Sequence, residues 1–150
     1  MGHALPPSPQ NRIGILHLDT GKLEVIPGTE QLFSAHWSVD EKKILALEER
    51  TMYPRILDPA KGEWRLLTQE WIGFPNWSPD GKYIYAHTGS RTAAKAIRIE
   101  VATGHIEEIA RLDFNTVGNV YYWVGWTPDW EPLTLRDVSS TQIYRLDLDR

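Results

Sequence analysis

Apolar and polar positions alternate along this chain in short runs, and Gly, Pro and Asp fall between the runs. Ile44 and Ala46, Ile84 and Ala86, and Leu133 and Leu135 are three such alternations, each beginning four residues after an Asp. A period of two marks a strand with one face packed against a neighbour. No window of about a dozen residues keeps a helical period. The nearest candidate, Thr92 to Ile99, is short and runs into alternating residues. The expected fold class is all-β.

The alternation is part of a longer repeat. "AHWSVDEKKILAL" begins at Ala35, "PNWSPDGKYIYAH" at Pro75 and "VGWTPDWEPLTLR" at Val124. Trp37, Trp77 and Trp126 align, 40 and 49 residues apart, as do Asp40, Asp80 and Asp129. A second motif interleaves with the first: "ILHLDTGKLEVI", "RILDPAKGEWRLL", "IRIEVATGHIEEI" and finally "IYRLDLD". Each unit reads as four strands, A to D. Strand A ends at the Trp, a Pro-Asp-Gly type turn leads to B, a variable loop to C, and an Asp-x-Gly type turn to D. The turn residues have physical reasons: Asp accepts hydrogen bonds from nearby backbone N–H groups, Pro79 and Pro128 preset φ, and Gly81 takes a positive φ cheaply. Trp37, Asp40, Trp77, Asp80, Gly81, Trp126 and Asp129 are thus structural repeat residues. Val39 and Glu41 in the first copy, and Trp130 where the second copy has its Gly, depart from the pattern and leave the individual turn shapes open, not the fold.

Four strands per period of about 40 residues is the pattern of propeller blades. "FPNWSPDGKYIYA" followed by "IRIEVATGHIEEI" resembles the TolB-type, WD-like β-propeller repeat, and the resemblance runs from about Ile13 to Asp149. It implies antiparallel four-stranded blades, about three per chain. Residues 1–12, with Pro6, Pro7 and Pro9, read as a disordered leader. Residues 13–32 read as a partial blade (strands C and D), 33–70 and 71–113 as two blades, and 114–150 as a blade lacking strand D. Propellers close with about four to eight blades. An arc of three leaves apolar flanks and a strand edge uncovered. The economical closure is a homodimer in which one chain's N-terminal strand completes the other's last blade, giving a six-bladed ring. Ile13 to Leu18 and Gln142 to Leu148 then compete for one strand C, and the C-terminal copy is expected to keep it. A fragment of a larger single-chain propeller is the competing expectation.

Composition narrows function mainly by exclusion. Hydrophobic residues make up 41% and charged residues 24%, which is globular, and the net charge of −4 is interspersed. No basic stripe points to nucleic acid, and no apolar run is long enough to span a bilayer. There are no cysteines, hence no disulfides, thiolate metal sites or cysteine nucleophiles. This leaves the compartment open between periplasm and cytoplasm. The five histidines form no metal-ligand spacing, no Gly-x-Ser-x-Gly elbow occurs, and neither cofactor nor metal is expected.

The resemblance implies that loops D–A and B–C surround the mouth of a central channel lined by strand A. Glu48, Glu49, Arg50, Glu70, Trp71, Arg91, Trp123, Arg136 and Asp137 are the residues expected there, with His36, Asn76 and Gly125 just before the repeat Trp. Charges at loop tips are ordinarily only solvated. Glu48, Glu49 and Asp137 would be the carboxylates of any acid/base chemistry. The expected function is a non-catalytic scaffold that binds a protein or peptide. The alternatives are the propeller portion of a hydrolase, either prolyl-oligopeptidase-like or with a glycosidase or lactonase site in the channel, and a fragment with no function of its own.

Overall fold

The computed structural model describes residues 12–90, 93–112, 124–134 and 142. Twelve strands follow in order: β1 (Gly14–Leu16), β2 (Leu23–Val25), β3 (Leu32–Trp37), β4 (Ile44–Glu48), β5 (Pro54–Asp58), β6 (Glu63–Leu66), β7 (Gly73–Trp77), β8 (Tyr83–Thr88), β9 (Ala94–Glu100), β10 (Ile106–Leu112), β11 (Val124–Trp126) and β12 (Pro132–Thr134). No helix occurs among the described residues. The short stretch from Thr92 falls mostly in β9, whose alternation prevails over any helical reading.

Four antiparallel sheets follow one another. The hairpin β1–β2 is followed by two four-stranded sheets, β3-β4-β5-β6 and β7-β8-β9-β10, and by the hairpin β11–β12. The four-stranded sheets are complete blades. In each, the repeat Trp ends the first strand and stands opposite an Ile of the second: Trp37 with Ile44, Trp77 with Ile84.

The turns recur atom for atom. Between the first two strands of one blade Ser38 donates to Asp40 (2.7 Å), which accepts from the Lys42 backbone N–H. In the next blade Ser78 donates to Asp80 (2.6 Å), which accepts from Lys82. Between the last two strands Gly21, Gly62 and Gly104 each donate a backbone N–H four residues back, to His17, Asp58 and Glu100, with φ of 68°, 68° and 76°. Glu41 (φ 56°) and Trp130 (φ 64°) occupy the same left-handed region as Gly81 (φ 68°). The first turn therefore keeps its shape despite lacking a glycine.

The third turn does change, through its length. Trp126 stands opposite Pro132, six residues on, where the other two blades have seven. A shift of one residue reverses every following side chain. Leu133 consequently pairs with Gly125 and is 44% exposed, instead of sharing the inward face of Ile44 and Ile84.

The strand faces bury against one another in sequence, which makes the stack radial. Ile13 and Ile26 of the first hairpin pack on Ile44, Ala46 and Leu57. The other face of that blade, through Leu45, Leu47 and Ile56, packs on Ile84, Ala86, Ile97 and Ile99. Val124 and Trp126 then pack on Ala94, Ala96 and Leu112. Alternate residues of each middle strand thus serve two different blades, and burying one such aliphatic side chain is worth about 1.5–3 kcal/mol. Polar ties reinforce the joint between the complete blades. The Arg65 guanidinium donates to the Val101 carbonyl, and Trp77 Nε1 donates to the His36 carbonyl at 3.1 Å.

Candidate functional site: an aromatic groove on the inner strands

β3, β7 and β11 are the first strands of their sheets, and each lies at a sheet edge. They converge on one side of the arc and wall a groove of about 1200 Å³. Phe33, Ser34 and His36 come from β3, Gly73 to Asn76 from β7, and Val124 to Trp126 from β11. Met52, Trp71 and Trp130 extend the wall from the loops, and His87 closes it from β8.

Two bulges aim these strands into the groove. The registers of β3 with β4 and of β7 with β8 slip between Phe33 and His36, and between Gly73 and Asn76. At the slip, Ser34 has φ 52° and Phe74 φ 49°, positions 40 residues apart in the repeat. A left-handed non-glycine residue costs roughly 1–2 kcal/mol, and two at equivalent places mark a feature that the surrounding structure enforces. Each bulge is bridged by the residue two places on: Ser34 Oγ and His36 Nε2 are hydrogen-bonded at 3.1 Å, and Asn76 Nδ2 donates to the Phe74 carbonyl at 3.0 Å.

The aromatic furniture forms two groups. His87, 1% exposed, donates from Nδ1 to the Gly73 carbonyl (2.9 Å), stacks on Phe74 and meets the edge of Trp71. Burial lowers its pKa, and that of His36. Across the groove Tyr85 contacts both Trp126 (5.0 Å between rings) and Trp130 (4.6 Å). Trp126 departs from its equivalent Trp77: its Nε1 is buried and has no hydrogen-bond partner among the described residues. Among the described residues lining the groove, none is Asp, Glu, Lys or Arg.

Of the residues singled out from sequence, Trp71, His36, Asn76 and Gly125 lie in this groove. Glu48, Glu49 and Arg50 lie instead on a smaller cavity of about 320 Å³, between the β2–β3 connection and the β4–β5 loop. Glu48 is engaged there: Thr51 donates to it at 2.6 Å and Arg55 at 2.5 Å, and these contacts hold its carboxyl below the usual range. Glu70 accepts from Thr88 Oγ1 at 2.6 Å. Arg91, Trp123, Arg136 and Asp137 lie outside the described residues, as does the strand expected from Gln142 to Leu148 apart from Gln142 itself. Sequence reasoning passed over Phe33, Met52, Phe74 and Trp130 as groove residues. Only Trp130 carried a signal, an aromatic in a glycine place. Among the described residues no group of three His, Cys, Asp or Glu gathers to hold a metal ion.

No family model matches this sequence, and no curated protein matches it. Solved structures do. TolB from Acinetobacter baumannii superposes with a TM-score of 0.58 at 20% identity, over 79% of this chain and 30% of that one. A putative TolB from Agrobacterium tumefaciens matches with a TM-score of 0.46 at 21% identity, over 66% of this chain and 41% of that one. The chain thus spans about a third of the length of the first of these. Ordered four-stranded blades, inner strands ending in Trp and the superposition agree: the chain has the fold of a TolB-type β-propeller, as an arc of consecutive blades.

Proposed function

We propose that this chain is a non-catalytic binding scaffold whose inner groove takes an extended, uncharged peptide segment rich in apolar, aromatic or proline residues. The observation that carries the reading is the groove's lining: aromatic faces and a few neutral polar groups, with no charged side chain among the described residues. Such walls suit peptides held by stacking, and aromatic-lined grooves are a recurring home for proline-rich segments. Trp126 Nε1, buried with no hydrogen-bond partner among the described residues, is a donor on this wall that is left for a peptide carbonyl. A channel-site hydrolase is less well supported, because Glu48, the best-placed carboxylate candidate, is held as an anion by Thr51 and Arg55 and is unsuited to donate a proton near neutrality.

The same reading includes assembly. Leu16, Leu23 and Val25 on one flank and Leu133 on the other are exposed apolar side chains. A second copy, joined by strand exchange into a six-bladed ring, would cover both.

Titration calorimetry against a panel of uncharged apolar, proline-rich, acidic and basic peptides tests the groove. Saturable binding by the first two classes, weakened at least tenfold in Trp130→Ala, is expected. Silence across the panel, or preference for charged peptides, would contradict it.

A further inference from the structure

Among the described residues the two open edges of the arc are matched to each other in strand register and face. Among the described residues β1 pairs with β2 on one side and has no strand partner on its other edge, and β12 pairs with β11 on one side and has no strand partner on its other edge. By their turns, β1 and β2 are the third and fourth strands of a blade: Gly21 donates to His17 as Gly62 does to Asp58. By its Trp, β11 is a first strand and β12 a second. Within the complete blades the second strand pairs with the third so that Ile44 faces Leu57 and Ile84 faces Ile99. Carried to the half-blades, that register sets Pro132 opposite Leu16, Leu133 opposite Ile15 and Thr134 opposite Gly14.

The faces agree without adjustment. Ile15 looks toward β3–β6, and so would Leu133. Leu16 looks away from β3–β6, as Leu23 and Val25 do, toward where the preceding blade would stand. The Trp37 ring supplies an independent pointer. Trp77, its equivalent, is 7% exposed because its indole lies on the preceding blade, where Nε1 donates to the carbonyl of His36, the residue before that blade's Trp. Trp37 is 45% exposed, on the side where the first hairpin has no first or second strand among the described residues. The residue before the Trp of β11 is Gly125, which has no side chain to obstruct the approach.

We propose that the occupant of this notch is a second copy of the chain: β12 of the second copy pairs with β1 of the first, and Trp37 Nε1 of the first donates to the Gly125 carbonyl of the second. The joint deepens the assembly part of the proposed function and is independent of what the groove binds. It assigns the third-strand place to β1. β1 already holds that place, paired with β2 over three residues and flanked by the buried Ile13 and Ile26. Two such joints, related by a twofold axis, close the ring.

The absence of cysteines gives a clean background for the test. Chains carrying Ile15→Cys and chains carrying Leu133→Cys are mixed, oxidised and examined without reductant. The expected product is a disulfide-linked pair of twice 17.2 kDa containing one chain of each kind. Trp37→Phe, whose ring is largely outside the chain's own core, should leave the fold intact and weaken self-association about tenfold, the effect of one lost hydrogen bond. A native dimer that forms no such disulfide and ignores Trp37→Phe would overturn this joint and leave assembly standing by another surface. A monomer in native mass spectrometry at micromolar concentration would overturn both. Peptide binding is scored separately, so the groove reading can fail or survive alone.

Discussion

The imidazole of His87 occupies the space in which a Cβ on Gly73 would sit: that atom would come within 2.0 Å of the ring's Cε1. Gly73 is buried on β7, and its carbonyl accepts the His87 Nδ1–H. The absence of one side chain therefore lets an inner strand close on the strand behind it. Gly73→Ala is expected to destabilise the fold by about 1–3 kcal/mol through overpacking. Trimming the ring as well, in Gly73→Ala with His87→Ala, should cost less than the two single changes summed. Urea denaturation of the four proteins measures this.

His87 also gives the stability a pH dependence. Its pKa is lowered by burial, so the folded state holds it neutral where the unfolded chain binds a proton. The unfolded state then binds more protons below its ordinary pKa of about 6.5, and stability falls as pH drops through that value toward the lower folded pKa. His36 acts in the same direction. Midpoints of urea unfolding between pH 7.5 and 5 should decline, and the decline should be shallower in His87→Gln.

Glu41 and Gly81 occupy equivalent turn positions with φ of 56° and 68°. Only one is a residue suited to that conformation. Glu41→Gly is expected to raise stability by about 1 kcal/mol, and Gly81→Ala to lower it by a similar amount. Open space surrounds a Cβ at Gly81, so the loss there would come from the backbone alone. Thermal midpoints of the pair would check the symmetry.

Trp130 pays the same backbone cost but is held in the groove by Tyr85. Trp130→Gly should relieve strain while removing an aromatic wall. Stability is expected to change by less than about 1.5 kcal/mol, since an aromatic pair contributes roughly 0.5–1.5 kcal/mol beyond its area. Peptide affinity should fall at least tenfold. Equal losses in both would mean that the ring only supports the fold.

What the sequence discloses follows the range of the forces involved. Trp37, Trp77, Asp40 and Asp80 announce blades because turn hydrogen bonds and strand alternation span only a few residues, and the repeat displays them more than once. The inverted face of Leu133 was hidden because it depends on a turn one residue shorter, although Thr127-Pro128-Asp129 matches Ser78-Pro79-Asp80 letter by letter in character. The groove was hidden for a different reason. The bulges at Ser34 and Phe74 carry no glycine, and the approach of Tyr85 to Trp130 brings together a strand and a turn from different sheets. Charged loop residues were easier to notice, yet Glu48 finds its partners inside its own blade.

We propose that the stacked sheets form an arc whose two flanks meet those of another copy. Sedimentation equilibrium of the unmodified chain over a range of micromolar concentrations measures this. A single species of twice 17.2 kDa is predicted. A well-behaved particle of 17.2 kDa throughout that range would contradict it.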